Sequence, residues 1–219
     1  MTRDPIILTT YDWVPDFPRG HVRDIRIRWL LEEIDRPYRI ETVPLQKKTP
    51  EHLARQPFHQ VPMIRDGELS LFESGAILLY LAEGTDLMPG GDDRMRTIQW
   101  LIAALNSVEF YSAAWLVGKF FHKNEQSAAE FGKIAQDKLA HLQDVLKGRD
   151  WLVAGRFTVA DLLMADILRL PAQHGLLDGL PDLRAYHDRA LSRPAFQKAL
   201  ADQIAHFRAA DAAMAQASA

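Results

Sequence analysis

Strand-like patterning in this chain ends at "DLMPGGDD", residues 86–93, and does not return in the rest of the sequence. Pro89, Gly90 and Gly91 make that stretch the strongest break in the chain. Before it, short β-like and helical segments alternate. After it, every periodic segment reads as helix. A chain organised this way must build a mixed α/β layer first and an all-helical body second.

The first part resolves into seven segments. "PIILTTY" (5–11) is rich in β-branched residues and reads as a strand. "RGHVRDIRIRWLLEEI" (19–34) carries apolar residues at near-helical spacing. "PYRIETV" (37–43) is a second strand, and "TPEHLARQ" (49–56) a short helix with Thr49 as N-cap and Pro50 at its first position. "VPMIRDGELSLF" (61–72) is a hairpin turning at Asp66-Gly67. "ESGAILLYLAEG" (73–84) is a helix stopped by Gly84. The expected order is βαβαββα over residues 1–85, a linker at 86–92, and an all-α domain over 93–219. In the second part, helices are expected near 93–121, 125–147, from 158, near 182–190 and near 194–208.

"FTVADLLMADIL" (157–168) is the sharpest local signal. Thr158 with Asp161 three residues on forms a capping box, and Phe157 with Leu162 has the spacing of a hydrophobic staple. This reading gives Asp161 a structural role.

Composition closes several classes of function. The chain of 219 residues contains no cysteine, which excludes disulfides, thiolate metal sites and any cysteine nucleophile or redox pair. Its eight histidines are dispersed, without His-x-x-x-His spacing, so no metal site is expected. No glycine-rich phosphate loop occurs. A net charge of −3 with scattered basic residues gives no footprint for nucleic acid or an anionic membrane. The start lacks the pattern of a secretory signal, and the longest apolar run, Ala76 to Ala82, falls far below the ~20 residues of a membrane span. The expected location is the cytoplasm.

"TPEHLARQPFHQVPMIRDGELSLFESGAILLYLAE" (49–83) resembles the glutathione-binding half of the cytosolic glutathione transferase family. The family's Asn-Pro-x-Gly-Lys-Val-Pro-like loop is here Gln56-Pro57-Phe58-His59-Gln60-Val61-Pro62. Its Glu-Ser-x-Ala-Ile helix opening is Glu73-Ser74-Gly75-Ala76-Ile77. "IRWLLEEIDRPYRIETV" (27–43), "FTVADLLMADIL" and "LSRPAFQKAL" (191–200) are similar to further family segments, in the same order. The resemblance implies a thioredoxin-like N-terminal domain, an all-α C-terminal domain, a homodimer, and glutathione as co-substrate without a metal. It also implies a cis Val61-Pro62 bond whose turn opens the Val61 backbone to the cysteinyl unit of the tripeptide. By the same resemblance Ser74 and Glu73 meet the γ-glutamyl end, and Gln60, helped by Gln46, Lys47 or Lys48, meets the glycine carboxylate. A helix N-terminus at Ser74 is in any case suited to a carboxylate.

Glutathione's thiol has an ordinary pKa of about 8.5, and the thiolate is the nucleophile. The family activates it with a Tyr at the end of the first strand, or a Ser or Cys at the start of the first helix. No serine precedes Ser70, so two of these routes are closed. Tyr11 is the simplest donor and Arg19 the second candidate; Thr9, Thr10 and Arg23 also carry suitable groups. The connecting segment "DWVPDFPRGH" is longer than in much of the family, and ungapped alignment from the helix puts Phe17 at the expected tyrosine. Phe110, Tyr111 and Trp115 on the long helix are the candidate lining for a hydrophobic electrophile. Two readings follow. One is a glutathione transferase acting on an electrophile or peroxide. The other is a glutathione-binding or regulatory protein that keeps the fold without conjugation.

Overall fold

The computed structural model describes residues 4–217. Four strands form one sheet: β1 (Ile6–Tyr11), β2 (Tyr38–Val43), β3 (Met63–Asp66) and β4 (Leu69–Phe72). Their order is β2-β1-β3-β4, with β1 parallel to β2 and β3 antiparallel to both neighbours. The β3–β4 turn at Asp66-Gly67 places the glycine at φ +59°, the left-handed conformation such turns require. Three helices accompany the strands: α1 (Asp24–Glu33), α2 (Pro50–Arg55) and α3 (Ser74–Ala82). This is the thioredoxin-like βαβαββα order that the sequence predicts.

The helical part contains α4 (Gly91–Ala103) and α5 (Phe110–Leu116), joined and extended by π-helical stretches at Ala104–Glu109 and Val117–Phe121. Then come α6 (Glu125–Leu146), α7 (Val159–Gln173), α8 (Pro181–Leu191) and α9 (Pro194–Ala217). The continuous helical run Gly91–Phe121 is long and apolar enough to cross a membrane. Here it packs along α6 and α7, with Leu101 and Ala104 buried.

Contacts divide the chain into two compact units: Met1–Ala82 with Arg193–Ala219, and Glu83–Ser192. The boundary near residue 85 therefore has a counterpart, but the final helix packs with the sheet unit rather than with the other helices. The reason is side-chain chemistry on α1. Asp24 to Leu31 is buried throughout, so α1 needs cover on two sides. The sheet with α3 supplies one and α9 the other: Trp29 meets Phe196 with ring centres 4.7 Å apart and planes tilted by 58°, and Arg193 grips Glu33 through two bonds of 2.6 and 2.7 Å. Beneath them Asp24 pairs with Arg28 at 2.7 Å and accepts from Gln203 at 2.6 Å. Burial pushes the Asp24 carboxyl up, and the neighbouring Arg28 charge opposes that shift.

Residues 19–23, expected to open the first helix, form turns, and the helix starts at Asp24. Gly20 at φ +80° breaks the pattern, although Val22 still points inward as the apolar spacing requires.

In the second unit the capping box forms as read. The Thr158 N–H and hydroxyl donate to Asp161 Oδ2 at 2.9 and 2.8 Å. Asp161 Oδ1 accepts from the Leu152 N–H at 2.9 Å and the Tyr186 hydroxyl at 3.1 Å. One buried carboxylate thus closes a helix start, a loop and α8. Asp161→Ala is expected to leave several buried donors unmet and to lower stability by about 3 kcal/mol or more, measured by urea denaturation.

Candidate functional site

One end of the sheet gathers the chemistry. β1, β2 and β4 finish there and β3 begins there. Thr9 pairs with Met63, and Met63 with Phe72. Continuing each strand by one or two residues brings Tyr11, Val61-Pro62 and Glu73-Ser74 to a common edge. Val61 and Tyr11 share an apolar cluster with Val14, Val22, Val43 and Phe207. The Val61-Pro62 bond is cis, as the resemblance implies.

The backbone here is unusual in a consistent way. Lys47, His59 and Glu73 have φ of +56°, +60° and +68°. Each lies in a loop opening from this end of the sheet. Left-handed non-glycine residues are uncommon, and such conformations concentrate at functional sites. The loop before β3 is wound by Gln56, which is buried. Its backbone oxygen accepts from the His59 N–H at 3.1 Å, and its side-chain oxygen from the Phe58 N–H at 2.6 Å. His52 lies fully buried on α2 below this loop; burial, helped by Lys48 and Arg55, lowers its pKa and keeps it neutral.

Ser74 opens α3 and is buried, while Glu73 beside it is exposed. The N–H groups of a first helical turn have no partner within their helix and carry the positive end of the dipole. A second positive group lies behind them. Arg26, 3% exposed on α1, donates through Nη1 to Ser74 Oγ at 3.1 Å. With its oxygen accepting from Arg26, the Ser74 hydroxyl keeps its own proton to donate. Sequence reading passed over Arg26. The available signal is that Arg26 lies between Ile25 and Ile27 in a helix with no exposed stripe.

Tyr11 ends β1, half-buried. Burial raises its hydroxyl above the usual tyrosine pKa, with the Arg23 charge pulling the other way, so it stays a proton donor at neutral pH. Lys48 folds over it: its Nζ lies 4.1 Å from the Tyr11 ring centre and donates to the carbonyls of Leu45 (3.0 Å) and Pro44. Desolvation lowers the Lys48 pKa, with Asp12 opposing. Phe17, by contrast, stands 51% exposed on the following segment and brings no polar group. Gln60 is exposed at the loop edge.

Arg19 has a different role from the one its position suggests. Its Nε and Nη2 donate to the Val14 carbonyl at 3.1 and 2.9 Å. Nη1 and Nη2 reach the Asp211 carboxylate at 2.5 and 2.8 Å. The guanidinium is spent on holding its own loop to α9, which argues against direct contact with a sulfur.

Of the three aromatic residues of the long helix, Phe110 is 59% exposed, with Tyr111 edge-on at 5.1 Å. Trp115 is drawn into the second unit. Its ring lies on Gly132 of α6, where an added Cβ would stand 2.8 Å away. Its outer edge lines a groove of about 420 Å³ with Lys119, Lys123 and the start of α6. Among the described residues no group of three or more His, Asp or Glu is placed to hold a metal ion.

Comparison with known proteins matches this architecture. Residues 9–83 match the family model for the glutathione S-transferase N-terminal domain, and 113–203 that for a glutathione S-transferase C-terminal domain. The chain is 30% identical to the glutathione S-transferase-like protein tpcF of Aspergillus fumigatus, covering 85% of this chain and 94% of that one. It is 33% identical to the disulfide-bond oxidoreductase YfcG of Escherichia coli, covering 84% and 90%. A glutathione transferase family member from Pseudomonas fluorescens, solved with two glutathione bound, superposes with a TM-score of 0.77 at 27% identity, covering 89% and 92%.

The left-handed His59 generates a prediction. An L side chain there costs about 1–2 kcal/mol, more than the entropy a glycine loses on ordering, about 0.5–1 kcal/mol. His59→Gly should therefore raise the thermal midpoint slightly, by calorimetry, and not lower it.

Proposed function

The chain belongs to the glutathione S-transferase family, and on that premise we propose that it is a cytoplasmic glutathione transferase. In this reading it binds glutathione at the sheet end described above and promotes attack of its thiolate on a hydrophobic electrophile or a peroxide. The observation that carries the reading is the shared edge of Tyr11, Val61 and Ser74, backed by Arg26. It offers a γ-glutamyl carboxylate the α3 N-terminus and the Ser74 hydroxyl, and its ammonium the Glu73 carboxylate. The Val61 backbone pairs with the cysteinyl unit. Gln60 and Lys48 take the glycine carboxylate, Lys48 supplying the charge that Gln60 lacks.

Tyr11 is the thiol's partner in this scheme. Lowering a thiol pKa by two units requires about 2.7 kcal/mol of preference for the thiolate. A hydrogen bond to a charged acceptor is worth about 1.5–3 kcal/mol, so one phenol nearly suffices. The raised Tyr11 pKa keeps that proton in place. Phe110 and Tyr111 are proposed contacts for the second substrate.

A homodimer is part of the reading. Met95, Ile102, Val117 and Phe121 are all exposed along one helical run. An exposed apolar stripe of this length suits burial against a second copy.

A second reading has a specific support in the 33% identity to a disulfide-bond oxidoreductase. Without cysteine in the chain, the reductant must be glutathione itself. Two glutathione thiols would be oxidised to glutathione disulfide while the substrate disulfide is reduced to two thiols.

Calorimetric titration with glutathione, conjugation to a chloronitrobenzene, hydroperoxide reduction and reduction of bis(2-hydroxyethyl) disulfide separate these readings. Binding with turnover of the chloronitrobenzene or the hydroperoxide supports the transferase, and turnover confined to the disulfide supports the second reading. Binding without any turnover leaves a glutathione-binding protein, and absence of binding removes both enzymatic readings and leaves a regulatory protein that keeps the fold. Ser74→Ala is expected to weaken glutathione binding roughly tenfold or more, as loss of a charge-assisted hydrogen bond does. In Tyr11→Phe, the thiolate absorbance of bound glutathione should titrate about one to two pH units higher than in the wild type.

A further inference from the structure

We propose that Asp211, on the last helix, is a positioning residue for the thiol-facing segment that follows β1. The inference rests on the glutathione reading above, and one arm of its test is independent of that reading. Asp211 Oδ1 accepts from the Trp13 indole N–H at 2.8 Å and from Arg19 Nη2 at 2.8 Å, while Oδ2 accepts from Arg19 Nη1 at 2.5 Å. Arg19 in turn holds the Val14 carbonyl with two bonds. Val14 is buried in the apolar cluster against which Tyr11 packs, together with Val61. A few residues earlier on the same helix, the His206 ring meets the Tyr11 carbonyl at 2.9 Å, and Phe207 is buried in that cluster. One face of α9 thus fixes both the strand end that carries the tyrosine and the loop that leaves it.

The latch works by geometry. Asp211 presents both oxygens to a planar guanidinium, an arrangement that sets direction as well as distance. Arg19 and then Trp13 hold its carboxyl down to about 2, so the latch stays charged throughout the neutral range. Asp211 is itself partly exposed, which makes it a modest contributor to global stability. Its effect falls on where Tyr11 and its loop stand, because a displacement of about 1 Å at a reacting group is costly in rate.

The test uses the full-length chain and three proteins: wild type, Asp211→Ala, and Asp211→Glu, which keeps the charge. In Asp211→Ala, hydrogen exchange of residues 12–23 should accelerate while that of β3, β4 and α3 stays unchanged. The KM for glutathione should stay within about twofold, since Val61, Glu73 and Ser74 are untouched. The bound thiol should titrate about one unit higher, and kcat measured at a pH below both midpoints should fall about tenfold, the same free-energy change read twice. Asp211→Glu should recover most of both. Unchanged exchange at 12–23 overturns the proposal. So does a fall in the thiol titration midpoint, which would mean that Asp211 masks the Arg19 charge from the sulfur. If wild type binds no glutathione, the site reading fails on its own, and hydrogen exchange still decides the latch.

Discussion

The pairing register of β1, β3 and β4 is the constraint on which the site depends. A slip of one residue between Thr9 and Met63 would turn every β3 side chain to the opposite face of the sheet. It would also part Tyr11 from Val61. The same register, carried through Met63 and Phe72, delivers the start of α3 to that edge. Tyr11, Val61 and Ser74, on three separate connections, therefore meet because two short ladders agree. The left-handed residues at Lys47, His59 and Glu73 are where the chain turns sharply enough to exploit that meeting.

Behind the edge, α1 carries an unusual load of buried charge. Asp24, Arg26 and Arg28 are all buried. Desolvating such groups is expensive, and partners offset the cost only when geometry is good. Two of them pair within the scaffold, Asp24 with Arg28 and Gln203, while Arg28 Nη2 and Gln203 Oε1 stay buried without a hydrogen-bond partner. Arg26 faces the other way and donates to Ser74 at the start of α3. The helix thus divides its ionic groups, one side bracing α9 and the other meeting the start of α3.

Most of the architecture was legible in local sequence. β-branched runs, the Asp-Gly turn and the capping box at Thr158 each name their own structure, because the interactions that make them span a few residues. The helix start at Ser74 was legible for the same reason, and the cis Val61-Pro62 bond through its resemblance to a family motif. What escaped depends on distant partners. Arg19 looks available in sequence because the carboxylate that occupies it lies 192 residues away. Arg26 escaped because its place between Ile25 and Ile27 hints at burial but not at its partner, a serine 48 residues away. Trp115 has the spacing of a lining residue and of a core residue alike; only Gly132 opposite it decides. The allegiance of α9 to the sheet had no local sign at all.

That allegiance sets an order of events during synthesis. The sheet and α1 to α3 emerge first, yet the helix that covers α1 emerges last, after the whole of Glu83–Ser192. The helical unit has all its own residues before the sheet unit has its own. On a ribosome, where domains usually mature from the N-terminus onward, this chain would finish its second body first and hold its first one open, with the back of α1 uncovered, until the first turns of α9 arrive.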